Sequence, residues 1–189
     1  MKVIGINGSS RKNGNTKRAI EIVFEELQNA GIETELIQLA DKNILPCNAC
    51  FQCKGNNMCM AQDDDLNEIL EKVVAADGLI LGSPTYFANV SSRMKTFIDR
   101  AGTIAKANND MLKRKVGAAV IAVRRQGACH VFSSLNYFFL INQMIVPGSS
   151  YWNLGIGLKP GDIMNDDEGI QTFKNLGKNM AWLLEKINK

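Results

Sequence analysis

The chain has 189 residues, 46% hydrophobic and 22% charged, and its 22 basic and 19 acidic side chains leave a net charge of +3. That length and mix suit one globular domain whose core needs no staples, and they exclude a collagen-like, coiled-coil or disordered chain. So small a positive excess gives no reason to expect nucleic acid or a membrane surface as a partner.

In chain order, Lys2–Asn7 is a short apolar run that ends in Gly8-Ser9-Ser10. It predicts a strand buried on both faces, feeding a loop. Ile20, Val23, Phe24 and Leu27 make a helical stripe within Asn15–Ala30, and Gly31 supplies a stop. Glu33–Leu39 predicts a second strand, and residues 46–62 a loop holding cysteines among Gly, Asn and Pro. Asp65, with Glu68 three positions on, predicts a capping-box start for a helix faced by Leu66, Ile69, Leu70, Val73 and Val74. Asp77–Gly82 predicts a third strand ending at Ser83-Pro84. Ser91 or Ser92 can cap a helix carrying Met94, Phe97, Ile98 and Ala101. Lys115–Val123 predicts a fourth strand, and a helix from about Cys129 to Met144 follows. Ile145 is expected to begin a fifth strand that Pro147 interrupts. Ile170, Phe173, Leu176, Met180, Leu183, Leu184 and Ile187 line the last helix.

This alternation implies an α/β fold, a parallel sheet with helices on both faces. Five strands fit the doubly wound order 2-1-3-4-5, with ligands outside the carboxyl ends of the strands. The cysteine-rich loop is then an insertion after strand 2. No apolar run approaches the roughly 18 residues of a membrane helix. Met1–Asn7 carries one charge and almost no apolar stretch, so it does not read as a signal peptide. The expected compartment is the cytoplasm, where thiols stay reduced. The five cysteines therefore do not read as disulfides, and four of them crowd into Cys47–Cys59.

The first loop, Gly8 to Thr16, brings hydroxyls, amides, backbone N–H groups and a helix N-terminus together. Donors and dipole both favour an anion, so the loop suits a phosphate. It is not a Walker A loop: Gly8 and Gly14 enclose five residues, and Asn15-Thr16 follows without a lysine. Nor do Gly5 and Gly8 supply Gly-x-Gly-x-x-Gly. A monophosphate such as that of FMN fits best, against a solvent-exposed capped turn as the plainer alternative. The second loop, Ser83 to Asn89, sits on the same rim. Its Tyr86-Phe87 pair can lie against a flat ring, or else plug the core.

Cys47-x2-Cys50-x2-Cys53 lets three thiolates from one loop converge on a single cubane, and Cys59 can close the set. The run departs from the bacterial ferredoxin pattern, which ends Cys-x3-Cys-Pro. Zinc on four thiolates, a redox disulfide and four free cysteines are the alternatives.

These residues resemble the iron–sulfur flavoproteins within the NAD(P)H-dependent FMN reductase group of flavodoxin-like proteins. The resemblance runs the whole length. It rests on Gly8-Ser9-Ser10-Arg11 through Asn15-Thr16, the compact cysteine motif, Gly82-Ser83-Pro84-Thr85-Tyr86, and Met94 to Arg100. It implies one flavodoxin-like FMN-binding domain over 1–189, with one FMN and one [4Fe–4S] cluster per subunit. It further implies a cluster loop close to a flavin in an oligomer, a homodimer or homotetramer. By position, Ser9, Ser10, Arg11, Asn13, Asn15 and Thr16 would hold the phosphate. Pro84, Thr85, Tyr86 and Phe87 would hold the ring, and Arg124, Arg125, Gln126 and Gly127 would reach its edge. Cys47, Cys50, Cys53 and Cys59 would ligate the cluster.

The expected function is a flavin-dependent oxidoreductase that links one-electron and two-electron partners, with the chemistry on FMN and no catalytic side chain. NAD(P)H or a ferredoxin-like protein and a small-molecule acceptor are the expected partners. The rivals are a plain NAD(P)H:FMN or quinone oxidoreductase without a cluster, and a zinc-ordered, non-catalytic binding protein. Elsewhere, His130 reads as a cap or surface residue and Cys129 as a small buried hydrophobe. Tyr151 and Trp152 read as core or a subunit contact. Lys95, Asp99 and Arg100 read as an ion pair, and Asp63-Asp64-Asp65 as helix capping.

Overall fold

The computed structural model describes residues 1–188. Along the chain run β1 (Lys2–Asn7), α1 (Asn15–Asn29), β2 (Glu33–Gln38), α2 (Leu66–Ala75) and β3 (Gly78–Pro84). Then come α3 (Ser92–Ala107), β4 (Val116–Val123), α4 (Ala128–Ile141), β5 (Leu154–Ile156) and α5 (Asp167–Ile187). All neighbouring strands pair in parallel, in the order β2-β1-β3-β4-β5. This is the flavodoxin-like order read from the sequence. Parallel pairing needs a crossover between strands, and each crossover carries a helix. The cysteine loop lies in the β2–β3 crossover.

Alternate strand residues face opposite cores. Ile4, Ile6, Leu79, Leu81, Ala119 and Ile121 pack with α2, α3 and α4. Val3, Ile80, Val116, Ala118 and Val120 pack with α1 and α5. Burial on both faces is why β1 and β4 read as nearly continuous apolar runs. Phe97, Phe139 and Phe173 are fully buried, each stabilising the fold by about 1.5–3 kcal/mol. The predicted stops and caps hold at two helices. Gly31 follows α1 at φ +75°, and the Ser91 hydroxyl at the start of α3 accepts from Met94 N–H at 3.1 Å.

Two elements differ from expectation. Ile145 makes a single bridge to Val116, and the fifth strand forms later, beside Ile121–Val123. Pro147 has no N–H to donate, so the ladder cannot run on from Ile145. The start of α2 is not a capping box. Asp65 already has helical angles and caps nothing; its carboxylate accepts from Asn43 N–H at 2.7 Å and Lys42 Nζ at 3.2 Å. Asp64 takes the Leu66 N–H instead, at 3.2 Å. Among the described residues no helix is long and apolar enough to cross a membrane.

Candidate functional site

The loops leaving β1, β3 and β4 meet on one rim. Ser9, Arg11, Asn15 and Thr16 from the first, Pro84, Thr85 and Tyr86 from the second, and Arg124 from the third line a cavity of about 190 Å³. The start of α1 opens there. Gly14 precedes the helix in extended conformation and no side chain caps it, so the first N–H groups and the positive end of the dipole are left for a ligand. The Thr85 hydroxyl is buried without a partner. Ser9 Oγ accepts from Arg11 N–H at 3.1 Å, and Arg11 Nη1 donates to the Leu158 carbonyl at 3.0 Å. Asn7 and Gln38 brace the loop from beneath through Ser9 N–H and C=O. The open N–H row and the orphaned hydroxyl fit a phosphate ester with a flat ring beyond it.

The predicted binders stand differently around this cavity. Asn15 Oδ1 accepts from Gly161 N–H at 2.9 Å, which ties the segment after β5 to α1. Gly157 lies so close that a Cβ there would stand 2.6 Å from Asn15 Nδ2. The Asn15 side-chain oxygen is thus committed, which orients the side chain that lines the cavity and leaves its Nδ2 amide and backbone N–H as the donors for a ligand. Ser10 and Asn13 are exposed and lie outside the cavity lining; Asn13 Oδ1 accepts from Lys17 Nζ at 3.2 Å. Tyr86 is 44% exposed and Phe87 stands fully in solvent, so neither plugs the core. Phe87 and Ala88 hold φ of +48° and +57°, a conformation costing about 1–3 kcal/mol per residue unless the surroundings enforce it. Gly127 supplies part of that enforcement. It sits at φ +90°, and a Cβ there would meet Ala88 Cα at 2.9 Å. Gln126 and Gly127, with Arg125, line a neighbouring cavity of about 370 Å³ beside Tyr151 and Trp152.

A second cavity, of about 130 Å³, lies between the cysteine loop and α3, and Cys47, Cys50, Cys53 and Cys59 all line it. All are free thiols. Ala49 and Phe51, on either side of Cys50, sit at φ +56° and +57°, bending the loop around the cavity. Asn108 clamps Cys53: its Nδ2 donates to the Cys53 carbonyl at 2.9 Å and its Oδ1 accepts from Gly55 N–H at 2.8 Å. Asn67 does the same for Cys59, accepting from its N–H at 2.8 Å and donating to its C=O at 2.9 Å. Arg100, 2% exposed, forms an ion pair with the fully buried Asp64 side chain. Its Nη1 also donates to the Leu45 carbonyl at 3.0 Å. Gln62 and Arg100 line the cavity as well, and their buried Oε1 and Nη2 atoms have no hydrogen-bond partner.

Burial pushes the Cys53 thiol up, and the neighbouring cysteines push it the same way. Burial also acts to raise Cys59, but the Arg100 guanidinium and the N–H groups of Ala61 and Gln62 outweigh it and bring the thiol down. Among the described residues no three His, Cys, Asp or Glu groups converge closely enough for a single metal ion. The four cysteines line one volume, and a donor set made only of thiols fits a multi-atom thiolate-bound group.

Several readings of single residues change. Cys129 is exposed, because Ala128, Val131, Leu135 and Phe138 take the inward positions of α4. His130 is exposed as expected. Tyr151 and Trp152 are each 52% exposed, so they are not core. Lys95 does pair with Asp99, at 2.6 Å, but Arg100 turns inward to Asp64. The acidic triplet is therefore more than capping. Asn67, Asn108, Gln62 and the Asp64–Arg100 pair escaped the sequence reading. One signal was present: Arg100 stands three residues after Phe97 and four before Ile104, on the apolar face of α3. That helix also links the two cavities. Ser91 Oγ donates to the Gly8 carbonyl at 2.7 Å beneath the first loop, and Arg100 lies nine residues on, about 13 Å along the axis.

The family model described as NADPH-dependent FMN reductase matches residues 1–159. An iron–sulfur flavoprotein of Methanocaldococcus jannaschii is 43% identical over 196 residues, covering 100% of both chains. An iron–sulfur flavoprotein of Methanosarcina thermophila is 35% identical over 191 residues, covering 100% of this chain and 98% of its own. Among solved structures, RosB with a bound flavin-type intermediate, 8-demethyl-8-formylriboflavin-5'-phosphate, superposes with a TM-score of 0.80 at 22% identity, over 100% of this chain and 80% of its own. At that identity the last likeness speaks for the fold.

Proposed function

The chain belongs to the NADPH-dependent FMN reductase family, among its iron–sulfur flavoproteins, and is a flavin-dependent oxidoreductase; from that premise we propose that it holds FMN in the rim cavity and a [4Fe–4S] cluster on Cys47, Cys50, Cys53 and Cys59. The observation that carries the cluster is that all four cysteines line one cavity. FMN exchanges electrons in pairs or singly and a cluster carries one at a time, so the two together link two-electron and one-electron partners. The protein's part is to place them. Ser9, Thr16, Arg11 and the open N–H groups of α1 hold the phosphate. Pro84 to Phe87 clamp the ring, with Arg124 at its edge. Asn67 and Asn108 fix the loop that presents Cys59 and Cys53. NAD(P)H or a ferredoxin-like protein serves as redox partner, with a small-molecule acceptor. The chain works as a homodimer or homotetramer in a cytoplasm that keeps its thiols reduced.

The test is an anaerobic visible spectrum with iron, sulfide and flavin analysis on one sample. About four irons and four sulfides per chain, with about one FMN, is the expected result. FMN without iron, even after anaerobic reconstitution, would leave a flavin reductase with a cysteine-rich loop. Zinc in place of iron would remove the one-electron role.

A further inference from the structure

We propose that Arg100 is a positioning residue that sets the reduction potential of the group on the four cysteines: its unpartnered Nη2 edge presents a fixed, buried positive charge to the thiolates, and Asp64 limits the effect. This rests on the cluster reading above. Arg100 is 2% exposed and the Asp64 side chain is fully buried. Nη1 is used, on Leu45 O and Asp64 Oδ2, while Nη2 has no partner and Arg100 lines the cysteine cavity. An unmade buried bond from a charged group is costly, so the free edge marks a position where an acceptor belongs. The acceptors nearest in kind are the sulfurs of Cys59 and its neighbours.

The pair is held stiffly. Asp64 Oδ2 also accepts from Leu45 N–H at 2.8 Å, and Oδ1 accepts from Leu66 N–H at 3.2 Å. Leu45 thus bonds to both members, through its N–H and its C=O. Stability alone is a weak reason to keep such a pair, since an apolar replacement often serves as well. A fixed cation beside a reducible group has another effect. A cluster with four thiolate ligands is net negative, and reduction adds one electron and one further negative charge. A buried cation favours the more negative state and raises the potential, strongly where the surroundings are apolar. Lys54, on the same loop, is exposed and therefore screened.

The experiment is a potentiometric titration of the anaerobic holoprotein, with the cluster followed by electron paramagnetic resonance and the flavin by absorbance. Wild type is assayed for iron first; no iron there defeats the cluster reading before any variant is made. Arg100→Gln is expected to make the cluster at least tenfold harder to reduce, 59 mV lower for a one-electron couple. Asp64→Asn is expected to shift it the opposite way, and the flavin potential is expected to stay unmoved in both. A loosened loop would shift both variants in the same direction, which overturns the proposal, as does an unmoved cluster potential at full iron loading. If Arg100→Gln holds no iron, Asp64→Asn decides alone: a raised potential supports the assignment, and an unchanged or lower one defeats it. Loss of iron in both variants makes the pair structural and also defeats it.

Discussion

In the rim cavity the groups that face a ligand sit on the ends of paired strands; in the cysteine cavity they sit on a segment with no strand or α-helix of its own. Asn7 and Gly82 are register partners in the sheet, and the first loop hangs directly from them. Gly8 N–H bonds to the Gly82 carbonyl at 2.8 Å, and Ser91 closes the same corner. Between Asp41 and Leu66, by contrast, no regular element intervenes. Order there comes from side chains that reach to backbone: Asn108 to Cys53 and Gly55, Asn67 to Cys59, Asp64 and Arg100 to Leu45, Gln62 to the Pro46 carbonyl. Strand ends are held by many weak ladders, whereas the loop is held by a few specific bonds. The two cavities should therefore fail separately, and by different kinds of substitution.

The largest effect is expected from Asn108→Ala. Asn108 is buried and makes three bonds, to Gly55 N–H, Cys53 O and Ile104 O. Removing it takes the acceptor from Gly55 N–H and leaves the Cys53 carbonyl only the Asn56 N–H, at about 1–3 kcal/mol in all. That is roughly a ten- to hundredfold rise in local opening of the loop. Alkylation of Cys53 in the metal-free protein, followed by mass spectrometry, should quicken by that factor, and iron should be retained less well. FMN affinity should not change. A parallel loss of FMN would show that the two cavities share one cooperative unit.

Gly127→Ala should strike the other side. The position has φ +90° and faces the Ala88 Cα, which as backbone cannot swing aside. The strain of a left-handed alanine, about 1 kcal/mol, adds to a displacement of the Tyr86–Asn89 turn. We expect roughly a tenfold loss of FMN affinity, about 1.4 kcal/mol, read by quenching of flavin fluorescence. Iron content should remain at the wild-type level. A fall in iron with normal FMN binding would reverse the assignment of the two loops.

The same contrast explains what the sequence made legible. Buried β-branched runs, glycine stops and a serine cap are local signals, so β1, α1, α3 and the sheet order follow from them. The rim cavity inherits that legibility, because it lies where the strands end. Cysteine spacing is equally local: it grouped Cys47, Cys50, Cys53 and Cys59 as one candidate set, and all four line one cavity. What holds that cavity is not local. Arg100 meets Asp64 across 36 residues and Asn108 meets Cys53 across 55, and a buried Asn or Asp looks in sequence like any solvated one. Asn15 shows the same limit: its type suits a phosphate, but the bond from Gly161 N–H that orients it comes from 146 residues on. The fifth strand misled because Ile145 has the right composition and Pro147 forbids the ladder it would need.

The smallest expected effect is also the most selective. Ser9 is 3% exposed and lines the rim cavity, and its Oγ accepts from Arg11 N–H at 3.1 Å. The hydroxyl therefore has its own proton free to donate. If that proton goes to a phosphate oxygen, Ser9→Ala removes one hydrogen bond to a charged group; with water partly replacing it, the loss should be about 1 kcal/mol, roughly fivefold in FMN affinity. Riboflavin, which has the ring and no phosphate, should bind the variant as it binds wild type. An equal loss for both ligands would instead trace the effect to a slackened Arg11 and a first loop that has lost its shape. The ratio of the two affinities thus separates direct contact from bracing.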